Sequence, residues 1–115
     1  MRTGTTVFHL GLGLAWLLIA AVTLWAVWRM GLGTVVPSFI AGYAHPWQAQ
    51  FNTDLALHTL LAAAWIVYRS RSRAAGLLCG VCAVFLGALF TLPYVLAASI
   101  RAGGDMRRLL LGSRA

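Results

Sequence analysis

Residues 7–28 read VFHLGLGLAWLLIAAVTLWAVW, an uncharged run with Arg2 and Arg29 on its flanks. An α-helix rises ~1.5 Å per residue, so a run of this length reaches across the ~30 Å hydrocarbon layer of a bilayer. Two further apolar runs, 51–68 and 74–100, are likewise bounded by arginine. Together they predict an all-α integral membrane fold in one domain, 1–115. Its three transmembrane helices fall at about 6–28, 52–68 and 74–100. An aromatic interfacial loop at 29–51, an arginine hairpin at 69–73 and a basic tail at 101–115 complete it.

Composition agrees with lipid as the solvent. The chain is 61% hydrophobic and 10% charged, with a mean hydropathy of +0.83, which leaves too little charge for a soluble domain. Its charges are nine Arg and two Asp, with neither Lys nor Glu, for a net +7. In a soluble protein that excess would suggest nucleic acid. Here most arginines edge the apolar runs, so anionic headgroups are the expected partner and nucleic acid is not. Arginine without lysine, alongside abundant Ala, Leu and Gly, fits a GC-rich bacterial genome and hence a multi-pass protein of the bacterial inner membrane. Arg2 before an apolar run also opens secretory signals, but their apolar regions are about 7–15 residues long. This one ends in Trp25, Trp28 and Arg29 without a small-x-small cleavage site, and it reads as a retained helix.

Small residues mark the expected packing seams. Gly11 and Ala15 make a small-xxx-small pair in the first helix, and Gly76, Gly80, Ala83 and Gly87 line the third. Trp25 and Trp28 end the first helix where indoles favour the headgroup boundary. Phe39, Tyr43, Trp47 and Phe51 recur every fourth residue, with Pro46 interrupting, which fits a short interfacial helix starting near Pro37 or else a loop with scattered rings. Pro46 and then Asn52, Thr53 and Asp54 suit a helix start. Arg69, Arg71, Arg73, Arg101, Arg107 and Arg108 are expected at lipid headgroups. Pro93 should kink the third helix, and Gly103 and Gly104 should end it. The tail is either a surface-lying helix or disordered. With three full crossings and the N-terminus inside, Arg2, Arg69, Arg71 and Arg73 stand against Arg29, Arg101, Arg107, Arg108 and Arg114. Four against five sets no orientation.

Few residues suggest chemistry. Asp54 and His58, four apart, share one side of a helix and could relay protons or hold a quinone or tetrapyrrole; helix capping and a hydrogen bond are the plainer reading. Cys79 and Cys82 are spaced like a redox dithiol but lie inside an apolar helix, where small packing residues are the better account. His9, His45 and His58 come from separate regions without metal-ligand spacing, so no metal is expected, and no resident cofactor. No serine or cysteine has an evident base.

Asp54 opening a helix, the short arginine hairpin, and Leu92-Pro93 followed by Arg101 at the end of the last apolar run give a pattern that resembles small bacterial three-helix integral membrane proteins of uncharacterised function. That resemblance implies a short helical membrane protein and transfers no catalytic residue. The expected role is a non-catalytic accessory or assembly subunit of a larger membrane complex, or one that packs on its own copies. The alternatives are a ligand-binding component built on Asp54 and His58, and an oligomeric small transporter.

Overall fold

A computed structural model describes residues 3–115. Six α-helices follow one another in these residues: α1 (Thr3–Met30), α2 (Val35–Ala41), α3 (Pro46–Arg69), α4 (Arg73–Leu86), α5 (Ala88–Ala102) and α6 (Met106–Leu111). The protein is all-helical, with no strand among the described residues. Among the described residues only α1 is both long and apolar enough to cross a membrane. Helix α3 has the length, at 24 residues, but Gln48, Gln50, Asn52, Asp54 and His58 make its first half polar.

The continuous helix expected over 74–100 is instead two helices. Gly87 stands alone between α4 and α5 with φ +59° and ψ −133°, a conformation that glycine reaches freely and a residue with a Cβ does not. There the chain turns back. His9 meets Ser99 while Trp16 meets Leu89, so α5 runs antiparallel to α1 and returns toward the end where α3 stops. A straight α4–α5 would hold Arg101 about 40 Å from Arg73, at ~1.5 Å per residue. Instead Arg69 and Arg101 line one hollow. With 14 and 15 residues, α4 and α5 are each only about 21–22 Å long.

Pro93, the expected kink, lies inside α5 without ending it. It has no N–H to offer the carbonyl of Leu89 four residues back. The indole Nε1–H of Trp16, on α1, donates to that carbonyl at 3.1 Å. A neighbouring helix thus supplies the donor that proline withholds.

The reversal also sorts the charges. Arg69, Arg71, Arg73, Arg101, Arg107, Arg108 and Arg114 gather at one end of the molecule together with the start of α1, and Arg29 stands at the other end. The four-against-five balance is overturned, because residues 101–114 come back to the side of residues 69–73. Arg2 lies outside the described residues.

Small residues form one seam, between α3 and α4. Gly76, Gly80 and Ala83 are buried there; a Cβ on Gly80 would stand 3.3 Å from Val67 Cγ2 and 3.5 Å from the Ala63 carbonyl. Gly87 makes the turn rather than the seam. Gly11 and Ala15 face outward on α1, and a Cβ on Gly11 would meet nothing within 4 Å. The buried apolar residues are few and mostly small: Ile66, Ala83, Ala98, Ala102 and Leu109. Large side chains point out, with Phe85 83% and Trp28 79% exposed. The accessible surface is 8421 Å², against the roughly 6,100 Å² that surface-to-mass scaling assigns to a folded soluble monomer of this mass.

The tie between Trp16 and Leu89 should be conditional on Pro93. Trp16→Phe is expected to lower stability in detergent by about 1–3 kcal/mol, the cost of a carbonyl left without a donor among detergent tails. In a Pro93→Ala background, where residue 93 regains its N–H, the same change should cost less than half as much. Thermal unfolding of the four proteins in this double-mutant cycle measures the difference.

Candidate functional site

The aromatic segment holds a short helix at the place expected near Pro37. Single tight turns at Leu32–Thr34 and Gly42–Ala44 flank this α2, and α3 begins at Pro46, ahead of Asn52, Thr53 and Asp54. Pro46 occupies the first helical turn, where a missing N–H costs nothing, and His45 Nδ1 accepts the Gln48 N–H at 3.4 Å. His45 therefore caps α3, not Asn52, Thr53 or Asp54. The four rings divide at this junction. Phe39 and Tyr43 meet edge to face at 5.8 Å, while Trp47 and Phe51 stand outward on α3. Asn52 is 6% exposed: its Nδ2 donates to the Phe39 carbonyl at 2.8 Å and its Oδ1 accepts from Gln48 Nε2 at 2.9 Å. Tyr43 and Thr53 hydroxyls lie 3.1 Å apart. Asn52 thus fastens α2 to α3.

Asp54 and His58 come together on the third and fourth turns of α3. His58 Nδ1 is 3.3 Å from the Asp54 carboxylate and 2.9 Å from the Asp54 carbonyl. A carbonyl only accepts, so Nδ1 carries the proton in that contact and Nε2 is left as the ring's free acceptor. Both side chains are more than half exposed, in a shallow recess of about 440 Å³ lined by Gln48, Phe51 and Leu55 of the same helix. Among the described residues no three of His, Cys, Asp and Glu lie close enough to hold a metal ion. Cys79 and Cys82 are free thiols, half buried on α4.

The densest polar cluster was not visible in the sequence. A helix leaves its last four carbonyls unpaired. At the end of α3, Ile66 O accepts from Ser70 Oγ at 2.6 Å and Val67 O from the Ser70 N–H at 3.3 Å. Tyr68 O accepts from Arg114 Nε at 2.8 Å and Arg69 O from Ser113 Oγ at 3.3 Å. The tail thus closes α3, and α3 closes the tail in return. Arg69 gives Nε–H to Leu109 O at 2.8 Å and Nη2–H to Arg108 O at 3.4 Å, while Trp65 Nε1 donates to Leu110 O at 2.9 Å. Asp105 caps the other end of α6 through the Arg107 and Arg108 N–H groups. A basic side chain at a helix C-terminus also complements its dipole. The Arg69 guanidinium further bonds Tyr94 Oη at 2.9 Å and lies over the rings of Trp65 and Tyr94. A Cβ on Gly112 would collide with the Arg69 carbonyl, so the approach needs glycine.

Of the two forms expected for the tail, it takes the helix, docked with Leu109 buried against Ala98 and Ala102, and Arg69 is the residue that ties α3 to it. Arg108 sits 3.8 Å from Asp105. Arg71, Arg73, Arg101 and Arg107 are exposed, and their side chains make no hydrogen bond or ion pair with a described residue.

One further pairing joins helices 90 residues apart: His9 Nε2 and Ser99 Oγ at 2.8 Å. That is the distance at which an imidazole draws a proton from a serine nucleophile. Asp105 lines the same open cavity of about 960 Å³, but its carboxylate is engaged with the N–H groups of α6. Ser99 is only 4% exposed, so the contact acts as a bond between α1 and α5. No family model, curated protein or solved structure matches the chain.

If Arg69 holds the tail, Arg69→Gln should release it. Trypsin is then expected to cut after Arg107 and Arg108 at least about tenfold faster than in the parent, as befits the loss of charge-assisted bonds of about 1.5–3 kcal/mol. Unchanged cleavage kinetics would show that α6 docks without that guanidinium.

Proposed function

We propose that this chain is an integral protein of a bacterial inner membrane and acts there as a non-catalytic accessory or assembly subunit, packing against a larger complex or its own copies. The observation that carries the membrane half is the outward apolar surface. Helix α1 buries none of its residues, and in water exposed apolar area costs about 25 cal/mol per Å². Lipid removes that cost. In this reading the three apolar segments become three embedded units. Helices α1 and α3 cross, while the α4–α5 pair enters and turns back at Gly87, each arm being too short to span. The first two turns of α3, with α2 and its rings, suit the headgroup region, and its 24 residues give it the length to cross that α4 and α5 lack.

Seven described arginines at one end against Arg29 at the other make an asymmetry that the positive-inside rule can use. The arginine-rich end belongs in the cytoplasm, together with both the start of α1 and the tail. Helix α2 then lies on the far side.

The subunit role is supported by the space the chain leaves unfilled. Between α1 and the start of α3 lies an open cleft of about 470 Å³ lined by Val22, Ala26, Val27, Phe39, Gln48 and Asn52. The Gly11 and Ala15 side of α1 is also free for a close helix neighbour.

Two measurements test the reading. Reporters fused at the N-terminus and after Ala115 are expected to report the cytoplasm, and one inserted at Ala44 the opposite side. Ends on opposite sides would restore three full crossings and remove the hairpin. Extraction in a mild detergent, followed by sizing and mass spectrometry, should give a particle larger than one chain; a clean monomer with nothing bound would end the accessory-subunit proposal.

A further inference from the structure

We infer that the hollow between Arg69, Arg101 and Arg108 binds the phosphodiester headgroup of an anionic phospholipid, an inference that rests on the membrane reading above. The hollow measures about 300 Å³, and besides the three arginines its lining includes Ala98, Ala102 and Gly112. Small floor residues leave room for a group the size of a phosphate; the Arg101 and Arg108 guanidinium forks match its oxygens, two donors at a time, while Arg69, whose three nitrogens already donate to protein acceptors, adds its charge.

Ala115 completes the lining. Among the described residues no carboxylate pairs with Arg69 or Arg101, and Arg108 has Asp105 at 3.8 Å. Arg101 makes no hydrogen bond or ion pair with a described residue. Arg69 is held in place by Leu109 O and Tyr94 Oη, so one wall is fixed before any anion arrives. Repulsion among like charges brought together by the docked tail is relieved when an anion enters.

The surroundings favour a lipid over a free anion. Ile100 is 57% exposed, Met106 58% and Leu110 48%, so exposed apolar side chains stand at the same end of the molecule as the basic hollow. A headgroup with acyl chains satisfies both surfaces, whereas inorganic phosphate satisfies one. In the proposed orientation the hollow lies at the cytoplasmic leaflet, where anionic lipids concentrate.

The test uses the full chain in mild detergent, titrated with phosphatidylglycerol or phosphatidylcholine and read by native mass spectrometry. Phosphatidylglycerol should be retained preferentially, and Arg101→Gln with Arg108→Gln should weaken that retention by at least about tenfold. Arg71→Gln with Arg73→Gln removes equal charge outside the hollow and should change it by less than about twofold. Equal loss in both pairs, equal retention in both, or displacement of the lipid by inorganic phosphate would each overturn the inference. Trypsin protection of the tail reports whether the first pair keeps α6 docked; if it does not, Arg101→Gln alone carries the test, since that side chain ties nothing down. A parent protein that stays in carbonate-washed membranes yet shows no lipid preference fails this inference only. One released by carbonate fails the membrane reading beneath it.

Discussion

A backbone carbonyl with no donor is expensive wherever water is scarce, at several kcal/mol per group in hydrocarbon. The chain meets that constraint with donors from distant parts of the sequence. Ser113 and Arg114 close the end of α3, and Arg69 and Trp65 close the end of α6. Trp16 serves the carbonyl that Pro93 leaves open. Each bond joins two elements as well as satisfying a group, so the same contacts that complete the helices also assemble them.

That is an economical way to hold together a protein with almost no apolar core. Among the described residues five hydrophobic ones are buried, three of them alanine. Between helices whose large side chains point outward, the hydrophobic effect contributes little, and close packing plus hydrogen bonds must do the work. The glycine seam of α3 and α4 supplies the first. Asn52 on Phe39 and His9 on Ser99 supply the second.

Gly87 decides the arrangement of charge. Because α5 returns beside α1, the last quarter of the chain comes back to the end where α3 stops, and the tail can dock there. The arginine-rich end, the reciprocal caps and the basic hollow are all consequences of that one backbone reversal. Without it, Arg101 and Arg69 would lie at opposite ends.

What the sequence determined by itself was local. Apolar run length specified helices and the absence of strands, Gly103 marked a helix end, and the four-residue spacing of Asp54 and His58 foretold their contact. Such features depend on neighbours within a turn or two, which the order of residues states directly. The reversal at Gly87 was not legible, because a glycine within an apolar run looks the same whether the helix continues or folds back. Nor was the role of Arg69, since an arginine at the end of an apolar helix reads as a headgroup anchor until α6 is seen beside it. Only the tertiary structure decided these, for a physical reason: a donor and its carbonyl 40 or 73 positions apart meet through the path of the backbone between them, and no local pattern records that path.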